Sequence, residues 1–124
     1  MSARPTTKRR QQAERGGRRA ETLAAWMLRL KGFSILAQRV RTPGGEIDLV
    51  ARRGKLLIIV EVKARRDLGA AIEAVTPWAR KRIATAASLF LSRRPALAEC
   101  MVRYDIIAVI GWRLHHLRDV WRNE

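Results

Sequence analysis

Cysteine, acidic residues and long apolar runs are all scarce in this chain. Cys100 is the only cysteine, so no disulfide can form within the chain, and a reducing, cytoplasmic setting is the simplest interpretation. The longest unbroken aliphatic run, residues 56–60, is far shorter than the roughly 18 apolar residues that a membrane span needs. No apolar segment follows the basic N-terminus, which argues against a secretory signal. We therefore expect no membrane partner.

Positive charge is the most prominent feature of the composition. The 124 residues contain 26 lysines and arginines but only 11 aspartates and glutamates, which gives a formal net charge of +15. Such a surplus attracts polyanions, of which nucleic acid is the most obvious. Most of the basic residues are arginine, so a compositional bias of the genome is an alternative interpretation. A membrane surface and association with the ribosome are others.

Hydrophobic periodicity predicts a tail followed by a helix. Residues 1–17 are basic and aperiodic, so we expect a flexible tail that either contacts phosphates or is simply solvated, ahead of a single domain at residues 18–124. Residues 18–31 predict a helix that Gly32 ends. Glu21 lies at the border of its apolar stripe, from which a carboxylate can reach a neighbouring site. The expected stripe consists of Ala20, Leu23, Ala24, Met27, Leu30 and Lys31.

The remainder of the chain predicts strands around one further helix. Thr76 and Pro77 are typical of a helix start, and that helix should run to Ser92 with Ile83, Ala86, Ala87 and Phe90 in the core. Strands are expected at residues 33–41, 46–52, 55–64, 101–110 and 113–118, with a loop at residues 65–74. A helix between the third and fourth strands indicates a crossover and therefore a mixed sheet in an α/β fold.

The second and third strands bring acidic residues together. If Arg53-Gly54 is a two-residue turn, Asp48 lies opposite Ile59 and Glu46 lies opposite Glu61. Alternate residues share a face, so one face should carry Glu46, Asp48, Glu61 and Lys63. The other face should carry a core of Ile47, Leu49, Ile58, Val60 and Val62. This parity depends on the length of the turn.

Three carboxylates on one face repel one another unless a cation lies among them. Oxygen ligands alone suit a hard ion, Mg²⁺ or Mn²⁺, which can polarise a phosphoryl oxygen and activate water. Lys63 could then orient the water or stabilise the charged transition state. The alternative is a surface hairpin with paired charges, which contribute little. The strongly apolar strand around Glu61 favours the functional interpretation.

Two segments resemble a known nuclease signature. Gly45-Glu46-Ile47-Asp48-Leu49-Val50 and Val60-Glu61-Val62-Lys63-Ala64-Arg65 are similar to the motif of PD-(D/E)XK nucleases. More closely, the chain resembles the YraN-like family of bacterial proteins from about residue 17 to residue 120. That likeness also includes Ala20-Glu21, Gly32-Phe33, Ala74-Val75-Thr76-Pro77 and Arg103-Tyr104-Asp105.

The resemblance implies a restriction-endonuclease-like fold, similar to archaeal Holliday junction resolvases, with a mixed central sheet of about five strands flanked by helices. It implies that Asp48 and Glu61 bind metal, that Lys63 assists catalysis and that Glu21 completes the site. Junction-cutting relatives are dimers, so a homodimer is a further expectation. The family usually has a lysine where Ala79 stands and an asparagine where Arg39 stands, and both departures concern substrate contacts.

Other polar and aromatic residues are weaker candidates. The candidates for nucleic-acid binding are Arg65, Arg80, Lys81 and Arg82, of which the last three lie near the positive end of a helix, where basic residues are mildly unfavourable. A solvated basic face is the alternative. The tryptophans could stack on bases, but packing is the more usual role. His115 and His116 are adjacent on a strand, so they cannot form one metal site. Asp105 either braces Arg103 or lies near the site.

These observations lead to two principal hypotheses. The first is a Mg²⁺-dependent endonuclease that hydrolyses phosphodiester bonds in DNA, with branched or structured DNA as one substrate class. The alternative is a non-catalytic nucleic-acid-binding module with a nuclease-like fold. A ribosome-associated basic protein is a third, weaker interpretation.

Overall fold

The computed structural model describes residues 7–122, with side chains described from residue 17 onward. The expected order of one helix, three strands, a helix and two strands is confirmed except for an additional short helix after the third strand. The elements are α1 (Thr7–Leu30), β1 (Ser34–Thr42), β2 (Gly45–Arg53), β3 (Leu56–Ala64), α2 (Leu68–Glu73), α3 (Pro77–Ser92), a 3₁₀ turn (Pro95–Leu97), β4 (Met101–Ile110) and β5 (Arg113–Trp121).

The five strands form one mixed sheet in the order β1-β2-β3-β4-β5. Neighbouring strands are antiparallel except for β3 and β4, which are parallel. A parallel pair needs a long crossover connection, and α2 and α3 provide it. The mixed sheet flanked by helices agrees with the predicted α/β fold and is compatible with a restriction-endonuclease-like fold.

Both faces of the sheet are covered. Ala20, Ala24, Ala25 and Leu28 of α1 pack on one face, together with Leu49, Ile58, Val60, Val62 and Ile107. Ile83, Ala86, Ala87 and Phe90 of α3 pack on the other face, against Val50, Leu57, Ile59 and Ile106. Successive residues of β3 therefore alternate between two cores, so the expectation of one apolar and one polar face is wrong. No helix in the described part of the chain is long and apolar enough to cross a membrane.

The helix α3 agrees with its prediction in detail. The Thr76 side chain accepts a hydrogen bond from the Ala79 N–H at 3.1 Å, and Pro77 occupies the first turn. The predicted loop at residues 65–74 is wrong, because it contains α2. The Asp67 carboxylate caps this helix by accepting from the Ala70 N–H at 2.8 Å. Less than two turns of helix leave too little periodicity to be recognised in the sequence.

The helix α1 differs from its prediction in start and in phase. It begins at Thr7 rather than Arg18, so residues 7–17 of the expected tail are helical; residues 1–6 lie outside the described part of the chain. Gly16 and Gly17 lie within this helix, at a cost of about 1 kcal/mol each relative to alanine. Leu30, expected in the core, is exposed, and Ala25 and Leu28 are buried instead.

The hairpin between β2 and β3 turns one residue later than expected. Its central residues are Gly54 and Lys55, and Gly54 has a φ of 60°, as the first central residue of a type II′ turn requires. Val50 consequently lies opposite Ile59, so the expected pairing of Asp48 with Ile59 is wrong. The shift moves the register by two residues, which keeps side-chain parity and brings Asp48 towards Glu61.

Candidate metal and phosphate site

The site begins where β2 and β3 separate. Their paired register ends at Leu49 and Val60. Beyond that point the Val62 N–H donates a 2.8 Å hydrogen bond to Oδ2 of Asp48 instead of to a backbone carbonyl of β2. The parity of β2 changes here as well, because Ile47 packs against the α3 side while Leu49 packs against the α1 side. The prediction that Ile47 and Leu49 share a core is therefore wrong, and the Asp48 side chain occupies the gap.

Glu61 is the most buried acid of this site. It is only 8% exposed, and its Oε1 atom has no hydrogen-bond partner among the described residues. Burial raises the pKa of Glu61 well above its ordinary value of 4.5, and the negative charge of Asp48 raises it further. Lys63 opposes this shift, with Nζ lying 4.0 Å from Oε2 of Glu61. A buried carboxylate with an unsatisfied oxygen is costly unless something positive binds it.

Asp48 is electrostatically linked to its acidic neighbours. Burial raises the pKa of Asp48, the hydrogen bond from Val62 lowers it, and the charge of Glu21 raises it again. Asp48 and Glu61 also interact directly through their carboxyl groups. Asp48, Glu61 and Lys63 are thus brought together as predicted, and they share a region of crowded negative charge.

Glu21 approaches the site from α1 but has a partner of its own. It lines a cavity of about 380 Å³ with Asp48 and Lys63. Its Oε2 atom accepts a hydrogen bond from Nε of Arg39 at 2.7 Å. Arg39 has a φ of 52°, an unfavourable conformation for a side chain of this type. Asparagine tolerates this conformation better, so the backbone, not a substrate contact, accounts for the asparagine expected at this position.

The residues fit a divalent ion held by two carboxylates. No group of three or more His, Cys, Asp or Glu side chains lies close enough together to hold a metal ion in the described residues, and the role of Glu21 as a third ligand stays a prediction. Mg²⁺ usually keeps several waters and needs only one or two carboxylates. Asp48 and the unsatisfied Oε1 of Glu61 supply that set.

Four cavities that share lining residues surround these acids, and together we call them the groove. The first cavity is lined by Arg19, Arg65, Arg66 and Gly111, and the second by Glu21, Asp48, Lys63 and Arg65. The third is lined by Arg18, Glu21, Arg39 and Arg41, and the fourth by Glu46, Glu61, Trp78 and Arg82. The first and second cavities share Ala20 and Arg65, the second and third share Glu21 and Asp48, and the third and fourth share Glu46. Their volumes are about 410, 380, 270 and 250 Å³. Basic residues therefore flank the acids on both sides.

The groove includes only some of the basic residues predicted from the sequence. Arg65 and Arg82 line it, whereas Arg80 donates from Nε to the Val75 carbonyl at 3.1 Å and lies over the Trp121 ring. Lys81 is exposed on α3 and lines none of the four cavities. The Glu46 side chain is 69% exposed, and its Oε1 atom lies 4.0 Å from Nε of Arg41. Glu46 therefore lies at the periphery of the acidic site. The groove is also lined by Arg18, Arg41 and Arg66. No sequence pattern distinguishes these arginines, and only their position in the fold identifies them.

A second buried polar cluster lies on β4 and β5. Asp105 is fully buried and accepts two hydrogen bonds of 2.8 Å from Arg103 and one of 2.9 Å from the Asp119 N–H. His116 bonds Asp105 through Nε2 at 2.7 Å, and Lys31 lies 2.9 Å from His116 Nδ1. The lysine ammonium can only donate, so the proton of His116 lies on Nε2. Asp105 therefore braces Arg103 and does not line the groove.

The buried carboxyl group of Glu61 predicts an unusual pH dependence. Because its folded pKa is raised, the unfolded chain loses the proton first, and the metal-free protein should lose stability as pH rises above about 4.5. Glu61→Gln should remove this pH dependence of stability. Its free energy of unfolding at pH 7 should exceed that of the wild type by about 1 kcal/mol or more. Urea unfolding between pH 5 and 8 in a chelator measures it. The exposed control, Glu46→Gln, should keep the wild-type slope, and parallel profiles for wild type and Glu61→Gln would contradict the prediction.

The fold and the site together define an α/β class with a mixed five-strand sheet, in which two carboxylates and a lysine meet where two strands separate. Residues 20–109 match the Uncharacterised protein family UPF0102, and the chain belongs to this family. The YraN-like resemblance is thereby confirmed, whereas membership of the PD-(D/E)XK superfamily stays a prediction.

Relatives in this family match nearly the whole chain. A UPF0102 protein of Paramagnetospirillum magneticum is 50% identical over 127 residues, which cover 98% of each chain. A UPF0102 protein of a Chelativorans species is 57% identical over 108 residues, covering 86% of this chain and 87% of the relative. A third, of Bartonella tribocorum, is 53% identical over 106 residues, covering 86% and 82%. These names state no activity.

Proposed function

We propose that this protein is a metal-dependent endonuclease that hydrolyses phosphodiester bonds in DNA. The observation that carries the proposal is the unsatisfied, buried Oε1 of Glu61, which lies beside Asp48 and Lys63. The groove around these residues is also lined by arginines. A buried acid pair needs a cation, and basic walls suit a phosphate backbone. The two requirements meet at one place on the surface.

Each residue has a role that follows from its position. Asp48 and Glu61 would hold Mg²⁺ or Mn²⁺, which when bound would polarise a phosphoryl oxygen and activate water. Lys63 stands beside Glu61 and can stabilise the negative charge of the transition state. Glu21 orients Arg39 at the wall of the groove. Arg18, Arg41 and Arg65 line the adjoining cavities and can hold the backbone phosphates on either side.

The experiment separates metal binding from cleavage. Purified protein is incubated with Mg²⁺, Mn²⁺ or chelator and with linear, single-stranded, flap and junction DNAs. We expect cleavage of at least one of these DNAs with metal and none with chelator. Mn²⁺ at about 100 times its Kd should also stabilise the fold by roughly 2.7 kcal/mol, visible as a raised Tm. Absence of both cleavage and the Tm shift would reject the proposal.

A non-catalytic binding module is the second candidate. It is favoured by the ion pair between Glu21 and Arg39, since Glu21 already has a positive partner and Arg39 is committed to it. This function predicts salt-sensitive DNA binding that survives Asp48→Asn and needs no metal. Filter binding in chelator, at several salt concentrations, tests it. DNA binding that disappears when metal is removed would count against this candidate.

A further inference from the structure

Three tryptophans are exposed, contrary to the expectation that such residues pack in the core. Trp78 is 69% exposed, Trp112 is 74% exposed and Trp26 is 58% exposed, whereas Trp121 is buried. Exposed rings of this size lose favourable burial, which a binding function would explain. Trp78 lines the groove, and Trp112 directly follows Gly111, which lines it. On α1, neither Trp26 nor its partner Arg29 lines any of the four cavities.

The two groove tryptophans lie at its opposite ends. Trp78, in the first turn of α3, lines the last cavity together with Glu61 and Arg82. Trp112 lies at the tip of the β4–β5 hairpin, directly after Gly111, which lines the first cavity. Glu21 and Asp48 line the cavities between them, whereas Glu61 lines the last cavity beside Trp78. A strand that runs along the groove therefore passes one tryptophan before Asp48 and another after it.

Each of these rings is paired with an arginine that also lines the groove. The Arg82 guanidinium lies 4.9 Å from the centre of the Trp78 ring, and that of Arg19 lies 3.7 Å from the Trp112 ring. Such cation–π contacts restrict the rings, so less freedom is lost when a ligand stacks on them. The arginines remain placed to contact phosphates on the same strand. Both ends thus combine an aromatic surface with a positive charge.

We infer that the groove binds DNA as an unpaired strand, with one base stacked on Trp78 and another on Trp112, on either side of Asp48. In a duplex both faces of each internal base are covered by its neighbours, so an aromatic ring can stack only where bases are unpaired. Stacking combined with a basic channel is how single strands are held independently of sequence. This inference rests on the proposed nuclease function for its biological use, but strand binding itself requires no cleavage.

The test measures binding without metal, so that it does not depend on catalysis. A fluorescently labelled 20-nucleotide DNA, single-stranded or annealed into a duplex, is titrated with protein in chelator and followed by anisotropy. Trp78→Ala and Trp112→Ala should each weaken single-strand binding by about tenfold, a typical effect of losing one stacked base. Duplex binding should change little, and the salt dependence should stay the same because no charge is removed.

Trp26→Ala is the matched control, because Trp26 is also exposed and also has an arginine partner, Arg29, at 5.0 Å from its ring. It should bind both DNAs as the wild type does. Trp78→Phe, which keeps an aromatic face, should recover most of the single-strand affinity. Equal losses on both DNAs, no loss in either groove variant, or an equal loss in Trp26→Ala would overturn the inference. Strand binding that is lost as expected in a protein that never cleaves DNA would reject the nuclease proposal alone.

Discussion

We expect DNA cleavage to fall by at least about 10²–10³-fold in the Asp48→Asn variant, the range expected when one group that stabilises the transition state is removed. Asparagine keeps an oxygen that can accept the hydrogen bond from Val62, so the separated ends of β2 and β3 remain fixed. The neutral amide, however, cannot balance the charge of a divalent ion. Initial rates at saturating Mg²⁺, on whichever DNA the wild type cuts, measure the loss.

Glu46→Gln is the matched control for this experiment. Glu46 lies on the same strand, two residues from Asp48, and shares a cavity with it, but its carboxylate is exposed and only loosely paired with Arg41. Exposed pairs contribute little, so its rate should stay close to that of the wild type. Asp48→Asn should also lose the Mn²⁺-induced rise in Tm, while Glu46→Gln should keep it. Wild-type cleavage by Asp48→Asn would mean that another group holds the ion.

Much of the fold followed from local signals in the sequence. Thr76 and Pro77 predicted the start of α3, and the period of Ile83, Ala86, Ala87 and Phe90 predicted its buried side. The proximity of Asp48, Glu61 and Lys63 was expected from strand parity. The error in the turn did not remove it, because a shift of two residues keeps the paired residues of β2 and β3, as far as Leu49 and Val60, on their own sides. Patterns that repeat over several residues tolerate local errors.

The features that were not predicted depend on single contacts between segments that are distant in the sequence. The change of parity at Asp48 arises because its side chain takes the place of a ladder partner for Val62, and no period in β2 records it. The Arg39–Glu21 pair joins a strained residue of β1 to α1. The partners of Asp105 come from β4 and β5, and one of them, His116, also contacts Lys31, which directly follows α1. Such contacts exist only once the elements are assembled.

Asp105→Ala should destabilise the protein by about 3–5 kcal/mol, the usual cost of breaking a buried ion pair by removing one partner. Asp105 is fully buried and accepts from both Arg103 and His116, so alanine would leave the buried His116 ring and the partly buried Arg103 without this acceptor. Urea unfolding at pH 7 measures this change. Asp119→Asn is its control: the Asp119 carboxylate meets only the exposed Arg122, and asparagine tolerates the local φ of 54°. The free energy of unfolding of that variant should lie within about 0.5 kcal/mol of the wild-type value.

The same carboxylate predicts how stability falls in acid. Burial opposes the ionisation of Asp105, but hydrogen bonds from His116, Arg103 and the Asp119 backbone prevail and lower its pKa from 3.8 to about 2. The unfolded chain therefore takes up this proton first, so the stabilisation is complete above about pH 4 and is lost as pH falls through 2. The shift corresponds to roughly 2 kcal/mol. Asp105→Ala should consequently flatten the profile between pH 4 and 2, and an unchanged slope in that window would show that Asp105 does not stabilise the fold through its charge.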